Sequence, residues 1–122
     1  MQNQPIEIFN LFRKSMLAKN NDWMKLITDD VSLIGPLAQV QGKESFIEVS
    51  QPFFASIRES EIHQIVEKDN YVITQISMTV EMPTGKMLTL NICEWYEFKA
   101  NKLSSFKVYF DTAEFLKELA SA

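Results

Sequence analysis

The chain contains almost none of the residues that build disulfides and metal sites. Cys93 is its single cysteine and His63 its single histidine, so no internal disulfide can form and no cysteine-based metal site can be assembled. Glycine and proline are also scarce, with 3 and 4 residues among 122, while hydrophobic residues make up 46%. This balance excludes disordered and low-complexity chains and predicts one globular domain over residues 1–122. We expect neither a metal nor another cofactor.

Clustered positive charge and long apolar runs are missing as well. The 12 lysines and arginines are scattered among 16 acidic residues, giving a net charge of −4, which disfavours nucleic acid as a partner. No apolar run approaches the ~20 residues that span a bilayer. The first residues also lack the basic start and apolar core of a signal peptide. The expectation is a cytoplasmic protein without a membrane partner.

The apolar patterns predict helices first and strands afterwards. The expected helices run from Pro5 to about Lys19, from Trp23 to about Thr28, where Asp29 and Asp30 end it, from Lys43 toward Ile57 with Pro52 ending or kinking it, and onward from Asp111. A short apolar run follows at Val31–Ile34, and the expected strands are Ile62–Glu67, Tyr71–Met82, Leu88–Phe98 and Leu103–Phe110. This order is typical of an α+β domain with helices laid against one face of an antiparallel sheet.

Glu94 stands out because it interrupts an apolar strand face. With a period of two, it shares that face with residues such as Ile92, Tyr96 and Phe98. Apolar surroundings remove hydration from a carboxylate, so the pKa of Glu94 should rise, which makes it a candidate acid, base or hydrogen-bond donor. The alternative is a carboxylate neutralised by Arg13 or Lys14. Either way, Glu94 is the candidate catalytic residue.

The remaining polar candidates have simpler interpretations. Tyr96 lies two residues from Glu94 on the same face, where it either pairs with that carboxyl or belongs to the core. Asp111 follows a strand and is expected to cap the last helix. His63 is expected to be an exposed residue of a strand. Cys93 is expected on the opposite face of the sheet from Glu94, as a small apolar side chain that fills space.

Three segments of the chain resemble the nuclear transport factor 2-like superfamily, in its SnoaL-like branch. They are the loop from Asn20 to Val31, the helix start from Gln39 to Phe46 and the ending from Phe106 to Ala113, in an order and spacing similar to that branch. The branch also contains ketosteroid isomerase, limonene epoxide hydrolase and polyketide cyclases. The resemblance implies a strongly curved antiparallel sheet wrapped as a cone around N-terminal helices. It also implies an apolar pocket inside the cone and homodimers formed through the outer sheet face.

On that fold, the pocket would be lined from the inner sheet face and closed by three further side chains. The expected lining residues are Ile76, Met78, Val80, Leu90, Ile92, Glu94, Tyr96, Val108 and Phe110, with Phe9, Leu33 and Phe115 as caps. The strand parity read from the sequence agrees with this inner face.

The catalytic residues of these relatives are mostly absent from the chain. The place of the isomerase base falls on Gly35, its tyrosine falls near Lys14 or Ser15, and its protonated acid falls on Glu94. The water-activating residues of the epoxide hydrolase would fall on Ile76, Met78 and Val108. The cyclases use an aspartate with a histidine, and only His63 is present here.

Three functions remain as hypotheses from the sequence. The first is a domain that binds a small apolar molecule, with Glu94 orienting one polar group of the ligand. The second is an isomerase or cyclase in which Glu94 carries a proton next to a carbonyl. The third is a protein-association domain with a filled interior, in which the outer sheet face carrying Trp95 and Tyr109 is the working surface.

Overall fold

The structure, a computed structural model, describes residues 4–122. In this range the elements are α1 (Pro5–Ala18), a 3₁₀ helix (Asp22–Leu26), β1 (Ile27–Ile34), β2 (Gln39–Gln41), α2 (Lys43–Ser56), β3 (Ile57–Lys68), β4 (Tyr71–Glu81), β5 (Met87–Lys99), β6 (Lys102–Tyr109) and α3 (Ala113–Ala120). The predicted α+β class is confirmed. Among these residues no helix has both the length and the apolar character needed to cross a bilayer.

The strands form one curved, open sheet in the order β2-β1-β6-β5-β4-β3. Neighbouring strands are antiparallel except β1 and β6, which pair in parallel with Leu33 opposite Phe106. The expectation of a wholly antiparallel sheet is therefore wrong for this pair, and the sheet is mixed. Because β1 and β6 are far apart in the sequence and share no hairpin, local patterns carry no information on their relative direction.

Aromatic side chains fix the helices on the concave face of the sheet. Phe9 and Phe12 of α1 are fully buried. The Phe9 ring contacts the Tyr96 ring of β5 edge-on, with 4.9 Å between the ring centroids. Phe12 in turn contacts Trp23 at 5.9 Å and Phe54 of α2 at 6.1 Å. These contacts fill one part of the space between helices and sheet with rings.

The first strand begins earlier than the apolar run predicts. The 3₁₀ helix ends at Leu26, and β1 starts at Ile27. Its register against β6 shifts between Ile27 and Ser32. This irregularity lets Asp29 and Asp30 stay exposed within the strand, between the buried Ile27 and Val31, so they do not mark the end of a helix.

Pro52 lies inside α2 and does not end it, because the helix continues to Ser56. A proline removes one backbone donor and leaves the carbonyl four residues earlier, here that of Glu48, without its helical partner. Both Pro52 and Glu48 are exposed, so water can serve that carbonyl.

The edge strands differ from the sequence expectation. β3 extends over Ile57–Lys68 rather than Ile62–Glu67, and most of its side chains are exposed. Because β3 pairs with one strand only and buries few of its side chains, its ends show no alternation of apolar and polar residues. A prediction based on that alternation therefore makes the strand too short. The three-residue strand β2, which pairs with β1, is too short to leave any pattern.

Candidate functional site

A cavity of about 220 Å³ lies between the concave sheet face, α1, α2 and the β1–β2 turn. The described residues that line it are Met16, Leu33, Gly35, Pro36, Leu37, Ala38, Val49, Ser50, Phe53, Phe54, Met78, Ile92, Glu94, Phe106, Val108 and Phe110. Leu37, in the β1–β2 turn, is 41% exposed, which puts the opening of the cavity at that turn. Of the described lining side chains, two are polar, those of Ser50 and Glu94.

The structure brings half of the predicted pocket residues together around this cavity. Those that line it are Leu33, Met78, Ile92, Glu94, Val108 and Phe110. Those that lie in the surrounding core instead are Phe9, Ile76, Val80, Leu90, Tyr96 and Phe115. The physical reason is that α1 packs directly on part of the sheet, where Phe9 against Tyr96 leaves no space. Phe115 packs against Phe110 and Phe53, whose side chains line the cavity.

Sequence reasoning missed the helical wall and the turn that lines the mouth. The α2 residues Val49, Ser50, Phe53 and Phe54 gave only a generic helical stripe, which does not distinguish a core from a cavity. Phe106 could have been found, because it alternates with Val108 and Phe110 on one face of the sheet.

Glu94 is held at the centre of the sheet by two hydroxyl groups. Its side chain is 4% exposed. The Oε1 atom accepts a hydrogen bond from Thr74 Oγ1 and another from Tyr96 Oη, each 3.0 Å long. Thr74 lies directly opposite Glu94 on β4, and Tyr96 follows two residues later on β5. Of the two alternatives left open for Tyr96, both hold, because it donates to Glu94 and its ring belongs to the buried core. Thr74 could have been noticed in the sequence as the polar residue between buried positions of β4.

The electrostatic environment of Glu94 favours its neutral form. Burial raises the pKa of Glu94 above its ordinary value, and this effect exceeds the opposing effects of the hydrogen bonds from Thr74 and Tyr96 and of the Arg13 charge. The pKa of Tyr96 is also raised well above its usual range, by burial and by the neighbouring carboxyl. Tyr96 therefore remains a hydrogen-bond donor.

The alternative in which a cation neutralises Glu94 is not what the described residues form. Arg13 uses its Nη2 atom to donate to the carbonyl and the hydroxyl of Ser60, both at 3.1 Å. Lys14 is exposed. The ion pairs among residues 4–122 are Arg58 with Glu81 and Lys86 with Glu118, neither of which involves Glu94. The Arg13 charge acts on Glu94 only from a distance.

The arrangement leaves one carboxyl oxygen available to the cavity. Both hydroxyl donors reach Oε1, and no group of the described chain donates a hydrogen bond to Oε2. A proton retained on the carboxyl therefore resides on Oε2, where it can be donated to an acceptor inside the cavity. When it is neutral, the Glu94 carboxyl is therefore a hydrogen-bond donor on the sheet wall of the cavity, where its described lining neighbours Ile92 and Val108 are apolar.

The other polar candidates lie outside this arrangement. Asp111 Oδ1 accepts a hydrogen bond from the backbone N–H of Ala113 at 3.0 Å, which supports the start of α3 from just before it. His63 is exposed, with Nε2 2.8 Å from Ser77 Oγ. Cys93 is half-buried on the opposite face from Glu94. Within residues 4–122 no three histidine, cysteine or acidic side chains are close enough to hold a metal ion.

Comparison with solved structures places the fold among known relatives. A nuclear transport factor 2-like protein of unknown function from Cytophaga hutchinsonii is 17% identical, with a TM-score of 0.77 over 95% of this chain and 97% of that one. A protein from Jannaschia sp. CCS1, provisionally described as a SnoaL-like polyketide cyclase, is 13% identical, with a TM-score of 0.81 over 99% and 94%. A protein from Rhodopseudomonas palustris, provisionally described as an isomerase, is 13% identical, with a TM-score of 0.80 over 100% of both chains. At such identities the likeness establishes the fold.

No curated protein matches the chain in sequence. A family profile does match it, with residues 13–106 aligning to the SnoaL-like domain. This segment includes α2, β1 to β5 and most of β6, and therefore Glu94, Thr74 and Tyr96. The resemblance inferred from the sequence is confirmed, and the chain belongs to the family of SnoaL-like domains.

Proposed function

We propose that the protein binds a small, largely apolar and uncharged molecule in this cavity and that Glu94 donates a hydrogen bond to one acceptor oxygen of it. The observation that carries the proposal is a buried carboxyl with Oε1 occupied by Thr74 and Tyr96 and with Oε2 left to an apolar cavity. An open cavity also argues against the hypothesis of a filled interior. Apolar lining with few oriented polar groups is typical of small-molecule sites.

The size of the cavity limits the ligand. A cavity of ~150 Å³ accommodates benzene, so a volume of about 220 Å³ suits a molecule of roughly ten non-hydrogen atoms. No lysine, arginine or histidine is among the described lining residues. An anionic ligand would therefore lie beside Glu94 without a neutralising cation, at high desolvation cost. Acetophenone, a neutral ketone with an apolar ring, is a suitable probe.

The test measures acetophenone binding by titration calorimetry from pH 4 to pH 9 in wild type, Glu94→Gln and Glu94→Met. Wild-type affinity should be highest at low pH and fall as pH rises through the pKa of Glu94, because the donated proton is lost. Glu94→Gln keeps both an acceptor for Thr74 and Tyr96 and an N–H donor, so its affinity should not depend on pH. Glu94→Met should bind about fivefold more weakly than wild type at pH 4, since one hydrogen bond is worth ~1 kcal/mol.

Two outcomes would contradict the proposal. One is wild-type affinity for acetophenone that does not change with pH and does not exceed that of Glu94→Met. The other is tighter binding of benzylamine than of acetophenone, which would mean that the carboxylate serves a cation. Glu61→Gln, an exposed carboxylate on β3, is the matched control and should behave as wild type.

A second candidate function is proton transfer next to a carbonyl, with Glu94 as the proton carrier. The raised pKa of Glu94 favours it, because a carboxyl that titrates closer to neutrality is a better acid and base at that pH. The relatives from Jannaschia and Rhodopseudomonas, provisionally described as cyclase and isomerase, are in line with it. The check is exchange of the acetophenone methyl hydrogens for deuterium in heavy water. Acceleration by wild type that Glu94→Gln abolishes would support catalysis, and an uncatalysed rate would favour binding alone.

A further inference from the structure

Ser50 is the second polar group of the cavity, and the proposed function does not use it. It lies on the buried stripe of α2, between Phe46 and Phe54 at spacings of four residues, where an apolar side chain would be ordinary. Its side chain is 4% exposed and lines the cavity. No side-chain hydrogen bond within the described part of the chain reaches Oγ of Ser50 or Oε2 of Glu94, since both bonds to Glu94 end on Oε1. Neither atom is fully enclosed without a partner, as Thr28 Oγ1 is, so both are accessible from the cavity that their residues line.

A hydroxyl on an apolar cavity wall carries a free-energy cost unless it finds a hydrogen-bond partner, either in the protein or in the molecule that fills the cavity. A helical serine can avoid this cost by donating to the carbonyl one turn earlier. Other serines of this chain make such local bonds, as Ser56 does to the Phe53 carbonyl at 2.6 Å and Ser121 to the Lys117 carbonyl at 3.2 Å. Ser50 makes none, so its hydroxyl remains free for a molecule inside the cavity.

The two polar groups lie on different walls. Ser50 comes from α2, and Glu94 comes from β5 in the sheet. The other described side chains between and around them, such as Phe54, Ile92 and Phe106, are apolar. A molecule with two oxygens at different places on an apolar body can hydrogen-bond both groups and contact the apolar walls at the same time.

We propose that Ser50 is a specificity-determining residue that hydrogen-bonds a second oxygen of the ligand, so that the ligand class is small, neutral hydroxy ketones. This inference rests on the proposed function, in which Glu94 holds the carbonyl oxygen. Ser50 can donate to or accept from a ligand hydroxyl, whereas the neutral Glu94 carboxyl donates to the carbonyl. We therefore assign the carbonyl oxygen of the ligand to Glu94 and its hydroxyl oxygen to Ser50.

The test compares acetophenone with 3-hydroxyacetophenone and 4-hydroxyacetophenone by titration calorimetry at pH 5. Wild type should bind the better-fitting hydroxy isomer about fivefold tighter than acetophenone, which is the size of one net hydrogen bond. Ser50→Ala, which removes only the hydroxyl, should bring that ratio to about one. Ser45→Ala on the same helix, outside the cavity lining, is the control and should keep the wild-type ratio.

The outcomes separate this inference from the proposed function. A wild-type ratio near one for both isomers, or a preference that Ser50→Ala retains, would overturn the role of Ser50 while leaving that of Glu94 in place. If no probe binds, or if Glu94→Met binds all three as wild type does, the proposed function and this inference fail together. Circular dichroism spectra that match wild type establish that a loss of preference in Ser50→Ala is not a loss of fold.

Discussion

Replacing Glu94 tests the hydrogen-bonded carboxyl through stability, independently of any ligand. Glu94→Gln keeps a carbonyl oxygen that can accept from Thr74 and Tyr96, whereas Glu94→Met has a similar length and only a thioether sulfur, which is a weak acceptor. In the methionine variant the two hydroxyl groups, each 3.0 Å from Oε1 in wild type, are left buried without a strong acceptor. Each such loss costs about 1–3 kcal/mol. We expect the unfolding free energy of Glu94→Met to be at least about 2 kcal/mol below that of Glu94→Gln.

The pH dependence of the same pair has a definite sign. The folded-state pKa of Glu94 is raised above its ordinary value of 4.5, chiefly by burial. Between 4.5 and the folded pKa, the unfolded chain releases a proton that the folded protein retains, so wild-type stability decreases as pH rises. The stabilisation that comes from retaining this proton is fully present below pH 4.5, and it is lost as the pH rises above the pKa of Glu94 in the folded protein. Glutamine does not titrate, so the free energy of unfolding of Glu94→Gln has no such pH-dependent contribution at this position. Its stability relative to wild type should therefore increase with pH.

The assay is urea unfolding at pH 4, 6 and 8, followed by tryptophan fluorescence of Trp23 and Trp95. Equal slopes of free energy against urea are required, so that midpoints can be compared as stabilities. Glu61→Gln, an exposed carboxylate, is the control and should stay within about 0.5 kcal/mol of wild type. The reasoning is refuted if Glu94→Gln loses stability relative to wild type as pH rises. That result would mean that the buried carboxylate is ionised and paired in the folded protein.

Three further predictions concern single contacts and the outer face. Tyr96→Phe keeps the ring packing but removes one donor to Glu94, so stability should fall by about 1 kcal/mol. Because that bond lowers the pKa of Glu94, the pH window of the preceding test should move upward, as the same urea series would reveal. Lys19→Met removes a donor that lies 2.6 Å from the Phe54 carbonyl at the end of α2 and should cost about 1 kcal/mol, measured by thermal unfolding. The homodimer stays a prediction: light scattering should give about twice 14.1 kDa for wild type and a monomer for Trp95→Glu, whose wild-type side chain is 41% exposed.

The strands β4 and β5 could be predicted from the sequence because each combines strict alternation of buried and more exposed residues with a clear turn at its end. The alternation that singled out Glu94 is the one observed, with Leu88 to Phe98 buried at every second residue of β5. The burial that raises its pKa follows directly from that parity. What could not be read is everything set by contacts distant in sequence. Examples are the parallel pairing of β1 with β6 and the placement of α2 over the sheet.

The cavity itself was only half predictable, and the reason is geometric. Period-two parity identifies which face of a strand is inward, but it does not indicate where helices fill that face. Phe9 is inward and packed against Tyr96, whereas Ile92 and Val108 are inward and border open space. The difference depends on where α1 and α2 cross the sheet. Ser50 was missed for the same reason, since one serine in a helical stripe has no distinctive pattern.

The balance between binding and catalysis depends on what faces Glu94 across the cavity. Val108 is paired with Glu94 across β5 and β6, and a side chain at Gly35 would begin 3.7 Å from the Val108 Cβ atom. Gly35 therefore lies beside the strand neighbour of Glu94 and lines the same cavity, and it has no side chain that could supply a second acid or base. Proton transfer next to a carbonyl requires one group to remove a proton and another to stabilise the oxygen. Glu94 is able to serve in either role, and Ser50 is the other polar side chain among the described lining residues. A serine hydroxyl without an adjacent base is a poor proton acceptor, so in a proton transfer Glu94 would have to remove the proton and Ser50 to bind the oxygen.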